Sequence, residues 1–265
     1  LNNDFLHLCG VGLTGIRARA DLTAYDFKRM RNITVSAAYS MAHELNSPLP
    51  KNVTCVKPSG TLSKIMGTEE WGEVPEGVHL PLGKYIFNNI TYSKHDPLVT
   101  RFRAAGYTVV EKTYEPESGL VKFPVKFENV AFTRTMVTRK NGKVEEVEVN
   151  MDSAVTQLEW YKLLQETWCE QNVSNTISYD PSEVPAIIDW LLENWDTYVG
   201  VSFLFRNDPT KNAEDLGYAY LPQEVVTKEM YDSYVSKLKE IDYSGIEMRD
   251  EELEAACPGG ACPVR

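Results

Sequence analysis

The sequence predicts an α/β fold with antiparallel hairpin insertions. Three observations predict it: long stretches with apolar residues at three- and four-residue steps, short β-branched runs falling between them, and an Asn-Gly pair set between two alternating segments. Residues 23–45 read as a helix, with Phe27, Met30, Thr34, Ala37, Met41 and Leu45 on one face, and Asn46-Ser47-Pro48-Leu49-Pro50 ends it because proline cannot continue the ladder. A short strand follows at 52–56. Strands are expected at 85–92, 107–111 and 120–127, with a short helix at 97–105. The Arg139-Lys140-Asn141-Gly142-Lys143 segment predicts a hairpin between 132–138 and 144–149, with a type I′ turn at Asn-Gly. Asp152 or Ser153 caps a second long helix carrying Val155, Leu158, Tyr161, Leu164 and Trp168, whose aromatic stripe with Trp160 reads as core. Beyond it lie a strand at 177–179, a helix at 182–195, a strand at 198–205 and an amphipathic helix at 228–241.

Composition narrows the class. The chain has 265 residues, 43% hydrophobic and 25% charged, as an ordinary globular protein does. Residues 1–243 read as one folded part and 244–265 as a flexible tail. A net charge of −11, from 27 basic and 38 acidic residues, argues against a nucleic-acid-binding face or a polybasic membrane patch. No apolar run approaches the roughly 18 residues of a membrane span. Five cysteines, with Cys9, Cys55 and Cys169 isolated as small core residues, suit a reducing compartment, and a cytoplasmic protein is expected. The four histidines (His7, His43, His79 and His95) have no paired spacing and no C-x-x-C exists, so no metal site is expected. The opening segment, Phe5 to Ile16, reads as the middle of a domain, and the chain as the C-terminal part of a longer protein.

Two segments carry chemistry. At the C-terminus Cys257 and Cys262 bracket Pro258-Gly259-Gly260-Ala261, a spacer that lets both sulfurs meet, and chain ends are mobile enough to carry a dithiol between sites. The second is Pro58-Ser59-Gly60-Thr61-Leu62-Ser63, which follows a strand and precedes a helical turn expected at 62–66. Its glycine permits close approach, and three hydroxyls with the backbone N–H groups could hold phosphate oxygens without any basic residue. As a bare pattern it reads first as a capped strand-to-helix turn, since it lacks the P-loop spacing. His79, in the Pro75-Glu76-Gly77-Val78-His79 loop, is placed near it.

Together these pieces resemble one family, the adenosylcobalamin-dependent (class II) ribonucleoside-triphosphate reductases, in their C-terminal part. The resemblance runs through Val11-Gly12-Leu13-Thr14-Gly15-Ile16, Lys57-Pro58-Ser59-Gly60-Thr61-Leu62-Ser63, Pro75-Glu76-Gly77-Val78-His79, Asp96-Pro97-Leu98-Val99, Lys122-Phe123-Pro124-Val125, Gln171-Asn172-Val173-Ser174, Ser178-Tyr179-Asp180-Pro181 and Val201-Ser202-Phe203-Leu204 to the Cys257–Cys262 tail. It implies the second half of a ten-stranded α/β barrel. It also implies radical reduction of ribonucleoside triphosphates with adenosylcobalamin, substrate phosphates held by Pro58, Ser59, Gly60, Thr61, Leu62 and Ser63, and a Cys257/Cys262 shuttle re-reduced by thioredoxin. The phosphate reading of the 58–63 segment becomes the favoured one on that basis. Asn88-Asn89 stand where the family pattern suggests arginines. The radical cysteine in its Asn-Pro-Cys-x-Glu setting is absent, and is expected, with the allosteric site and most corrin contacts, in an N-terminal half outside this sequence. The alternatives are the large subunit of a class I ribonucleoside-diphosphate reductase, or a non-catalytic redox protein using only the tail.

Overall fold

A computed structural model describes residues 10–59, 67–68, 72–73, 75–112, 115, 117–128, 130–206 and 208–244. They divide into two compact units, although no shift of composition marks the junctions. One is built from the residues up to Lys84 with Lys126–Thr135 and Glu148–Thr210; the other from Tyr85–Val125, Met136–Val147 and the residues from Lys211 on.

The first unit is assembled from parallel strand pairs. Strand β1 (Val11–Leu13) lies parallel to β2 (Thr54–Val56), in the register Val11↔Thr54 to Leu13↔Val56. Helix α1 (Ala24–Glu44) makes the crossover between them, as a parallel pair requires. Thr23 and Asp26 start it with a reciprocal capping box, and Asn46 ends it in the left-handed region at φ 50°, where the Ser47 N–H reaches back to Ala42 O. The expected apolar face is buried only in its first turns. Phe27 is fully buried and Met30 packs on the core, whereas Met41 and Leu45 are 52% and 66% exposed, because the stripe runs past the core that covers it. Short strands β3 (Gly67–Thr68) and β4 (Gly72–Glu73) pair antiparallel.

Later in this unit, α3 (Ala154–Thr167, capped by Ser153) leads to β10 (Thr176–Tyr179), which pairs parallel with β11 (Ser202–Phe205) across α4 (Val184–Glu193). Asp180 and Glu183 form a second capping box ahead of α4. The core joins Ile16, Phe27 and Val56 to Leu158, Tyr161, Leu164, Trp168, Val173, Ile177 and Trp190, the α3 stripe expected from sequence. Gln157 fastens α3 to β10 by pairing both ends of its amide with Ser178, Nε2 to O at 2.9 Å and Oε1 from N at 3.0 Å. Strand β11 leaves Phe203, Leu204 and Phe205 exposed.

The second unit holds a four-stranded sheet, β12 (Gln223–Val225), β5 (Tyr85–Ser93), β7 (Ser118–Lys126) and β6 (Val109–Glu111) in that order. Helix α2 (Pro97–Ala104, capped by Asp96) stacks Phe102 edge-on against Phe123 at 5.1 Å. Strands β8 (Thr133–Thr138) and β9 (Val144–Val149) form the expected hairpin, but its turn is not type I′. Among its residues only Gly142 has positive φ (80°), and the Arg139 N–H bonds Lys143 O across a three-residue connection. Buried Arg139, which bonds Glu145 at 2.8 Å and Asp215 at 3.0 Å, ties the hairpin to α5 (Ala213–Leu216). Helix α6 (Lys228–Val235) stops short of the expected 241, since the Lys239 N–H turns aside to Ala105 O at 2.9 Å. The three-residue β12 has no period for a sequence to reveal.

One cluster of contacts fixes β2. The Thr54 hydroxyl donates to Trp168 O at 2.6 Å, the Trp168 indole N–H to Cys55 O at 2.8 Å, and the Glu170 N–H to Thr54 O at 3.1 Å. The Glu170 carboxylate accepts from Val53 N at 2.7 Å and Thr54 N at 3.2 Å. Burial pushes the Glu170 carboxyl upward, but those N–H groups and the Arg31 guanidinium outweigh it and hold its pKa below the ordinary value. Thr54→Val keeps the shape and orphans Trp168 O. It should lower the unfolding free energy by about 1–3 kcal/mol in denaturant titration, and an unshifted midpoint would remove the clamp from this account.

Candidate functional site

The site is built where β2 ends. In sheets of parallel strands, ligands sit beyond the carboxyl ends, where loops leave with free backbone groups. The Lys57 N–H makes the last bond to β1, donating to Leu13 O at 2.9 Å. Pro58 has no N–H to continue it, and the chain turns. Lys57 and Pro58 are exposed. Ser59 adopts φ 55°, a left-handed backbone that costs a residue with a Cβ on the order of 1–2 kcal/mol. It is 8% exposed, and its hydroxyl is buried without a partner among the described residues. A strained backbone and an orphaned hydroxyl on one residue are the signs of a site prepared for a ligand.

Beneath this turn lies the Pro75–His79 loop. Gly77, at φ 36°, approaches so closely that a Cβ would stand 2.6 Å from Lys57 O and 3.6 Å from Pro58 O. Its carbonyl accepts from Ile16 N at 3.1 Å, and its N–H faces the Thr14 hydroxyl at 3.4 Å. Val78 is in the core. His79 accepts the Thr176 N–H on Nε2 at 2.7 Å, which requires a neutral ring protonated at Nδ1. Burial, with Arg17 adding to it, holds the His79 pKa below its ordinary value, in keeping with that bond. Arg17 is itself buried: its Nη2 pairs with Asp152 at 2.6 Å, its guanidinium lies 4.8 Å over the Trp160 ring, and its Nη1 has no partner among the described residues.

Of the residues singled out from sequence, the structure places Pro58 and Ser59 at the turn. Gly60, Thr61, Leu62, Ser63, Cys9, Cys257 and Cys262, with the helical turn expected at 62–66, lie outside the described residues. Cys169 is a buried core residue whose thiol burial pushes up, and Cys55 packs against the same core. Trp160, Tyr161 and Trp168 are core or packed on it. His43 is exposed, as is His95 beside Glu117 at 3.1 Å. Asn89 serves structure, its Nδ2 donating to Leu221 O at 2.7 Å, while Asn88 buries an unpartnered Oδ1. Sequence reasoning missed Arg17 and Glu170, because nothing in their neighbourhoods announces partners more than a hundred residues away. Among the described residues no group of three His, Cys, Asp or Glu converges as a metal site, and no helix is long and apolar enough to cross a membrane.

The architecture is that of a class II ribonucleotide reductase over the shared length. A crystal structure of a B-12 dependent (class II) ribonucleotide reductase superposes with a TM-score of 0.68 at 20% identity, covering 95% of this chain and 35% of that one. Curated relatives carry one name, adenosylcobalamin-dependent ribonucleoside-triphosphate reductase. The protein of Levilactobacillus brevis is 29% identical over 218 residues, 80% of this chain and 26% of its own length. That of Lactobacillus gasseri is 27% identical over 242 residues, 87% and 29%, and that of Euglena gracilis 28% over 190 residues, 71% and 22%. No family model matches the sequence. The chain thus resembles these reductases, and it spans about a quarter of the length of the curated relatives it matches.

Gly77→Ala tests the floor of the turn. The methyl group meets the Lys57 carbonyl and the positive φ disfavours any side chain, so the variant should lose about 1–3 kcal/mol of stability. Thermal unfolding beside wild type reads this directly, and an unchanged midpoint would mean that the loop does not support Lys57 and Pro58.

Proposed function

We propose that this chain is part of an adenosylcobalamin-dependent ribonucleoside-triphosphate reductase, a cytoplasmic enzyme that makes 2′-deoxyribonucleoside triphosphates. In this reading it contributes the cradle for the substrate phosphates and a dithiol tail. Ser59 carries the proposal: a hydroxyl buried without a partner among the described residues, on a left-handed backbone, at the carboxyl end of a parallel strand. A phosphate oxygen is the acceptor that fits it. With Gly60, Thr61, Leu62 and Ser63 completing the turn, the anion would be held by neutral hydroxyl and N–H donors, as suits a chain of net charge −11.

Adenosylcobalamin, when bound, supplies the radical by homolysis of its cobalt–carbon bond. No described residue is assigned to the corrin, and the radical cysteine is assigned to the N-terminal part of the reductase. The exposed Phe203, Leu204 and Phe205 of β11 support the larger assembly, because an apolar strand open to solvent calls for further strands of a barrel to cover it. Cys257 and Cys262 would restore the active site by thiol–disulfide exchange. Each turnover oxidises two active-site thiols to a disulfide as the 2′-hydroxyl leaves as water. The tail dithiol reduces that disulfide, becomes one itself and is reduced in turn by thioredoxin.

In the complete reductase, Ser59→Ala with Thr61→Ala should raise the KM for nucleoside triphosphate by one to several decades with kcat far less altered. Each lost bond to a charged phosphate is worth roughly 1.5–3 kcal/mol. An unchanged KM would leave the turn a structural one.

Replacing Cys257 and Cys262 by Ser should abolish multiple turnover with thioredoxin while sparing the first turnover of a pre-reduced enzyme, and dithiothreitol should restore activity in part. Burst and steady-state rates measured side by side decide it. Full thioredoxin-linked turnover in the double variant would exclude the tail as shuttle.

A further inference from the structure

We infer that His79 is a positioning residue for the phosphate turn, pinning the loop beneath Ser59 to the start of β10 through a neutral imidazole. The inference rests on the reading of that turn proposed above and extends it to a residue that makes no contact with the substrate.

The geometry forms one chain of contacts. The turn at Lys57, Pro58 and Ser59 rests on Gly77, whose Cα lies so near Lys57 O that no side chain fits between them. Gly77 is held on one side by Ile16 N, and two residues on, His79 Nε2 holds the Thr176 N–H at 2.7 Å. The His79 N–H donates to Glu76 O at 2.7 Å, so the loop is folded on itself and moves as one piece. Thr176 is in turn part of a stretch with little freedom. Its neighbour Asn175 bonds Val173 O at 2.9 Å and Gly200 O at 3.1 Å, and Ile177 and Val173 are buried. The imidazole therefore adds a tie from the loop to β10 to those that Ile16, Thr14 and Val78 already make, and through it bears on the height of Gly77 beneath Ser59.

The residue type fits the task. Accepting a backbone N–H needs a lone pair, which a protonated ring or a lysine cannot offer. Burial favours the neutral form of the ring, and the positive Arg17 guanidinium, paired with Asp152, adds to it. An apolar ring of the same size would fill the space without holding the strand. A ligand that needs its donors placed to a fraction of an ångström is sensitive to such a loss, because small misplacements far from the reacting atoms are costly.

The test uses the complete reductase and its nucleoside triphosphate substrate, with His79→Phe, His79→Gln and Ser59→Ala beside wild type. His79→Phe should raise KM about three- to tenfold with kcat changed less than about twofold. His79→Gln, whose amide oxygen reaches the same N–H, should return KM to within about twofold of wild type, a rescue that a residue valued only for its bulk would not give. If His79→Phe does not fold, His79→Asn, whose oxygen stops one bond short, takes its place against His79→Gln. A KM unmoved in His79→Phe while Ser59→Ala raises it overturns the inference and leaves the phosphate reading standing. Failure of His79→Gln to restore KM overturns it equally, and a KM unmoved in all variants removes both.

Discussion

The structure of the first unit depends on how β2 is held. A strand of three residues has too few ladder bonds to fix its own position, and among the described residues β2 has β1 on one edge only. The end of α3 supplies the rest through Thr54, Trp168 and Glu170. Four groups are satisfied within a few ångströms: the Trp168 carbonyl and indole, and the Val53 and Thr54 N–H groups. Most of these atoms are buried, where an unmade bond costs more than a made one gains. The clamp therefore works mainly by penalising every other placement. Because β2 runs directly into Lys57 and Pro58, the accuracy of the turn is inherited from the end of a helix more than a hundred residues later in the chain.

On that fixed base the protein stores local strain and leaves polar groups unmatched. Ser59 is held left-handed, Gly77 is pressed against a carbonyl, and among the described residues the Ser59 hydroxyl and Arg17 Nη1 are both buried without partners. Elsewhere in the unit Gln157, Asn172 and Glu183 are matched to backbone groups, and Asn175 pairs its Nδ2 with Gly200 O while its Oδ1 is buried without a partner among the described residues. What sets the Ser59 hydroxyl apart is the left-handed backbone that carries it, and the proposed reading gives it an anionic partner from solution. The arrangement is stable only because the surrounding contacts over-determine it.

What the sequence made legible was local. The α1 helix was written in its apolar spacing and its end in Asn46 and Pro48, the α3 core stripe in its spacing, and the turn after β2 in Pro58 and Gly60. What it hid was of two kinds. Some features depend on where a partner stops: Met41 and Leu45 continue an apolar stripe beyond the core, and α6 ends because Lys239 turns to a distant carbonyl. Others depend on tertiary pairing with no local trace, as with Glu170 at β2, His79 at Thr176 and Arg17 at Asp152. The hairpin shows the boundary between the two. Asn141-Gly142 fixed the place of the turn, but the three-residue connection, with Gly142 alone at positive φ, was set by the strands it joins. The candidate site was half legible in the same sense. Its hydroxyls were visible in Pro58 to Ser63, while the loop beneath them was visible only as a run of Pro and Gly with a histidine nearby.

The exposed face of β11 completes the physical argument. Strand β10 is partly buried and carries the aromatic ring of Tyr179 against Phe203 and Phe205, so the two strands share a surface of large apolar side chains. On β11 that surface meets solvent at every residue of the strand. Burying such side chains is worth about 1.5–3 kcal/mol each, a gain that the proposed larger assembly would collect on three successive residues. The same strand pair begins at Thr176, the residue His79 holds. The open face and the turn after β2 are therefore joined through the His79 imidazole as well as through the core that Val56, Val78 and Ile177 share. If the proposed reading holds, the strands that would receive the rest of a barrel would also level the floor on which the substrate's phosphates are set.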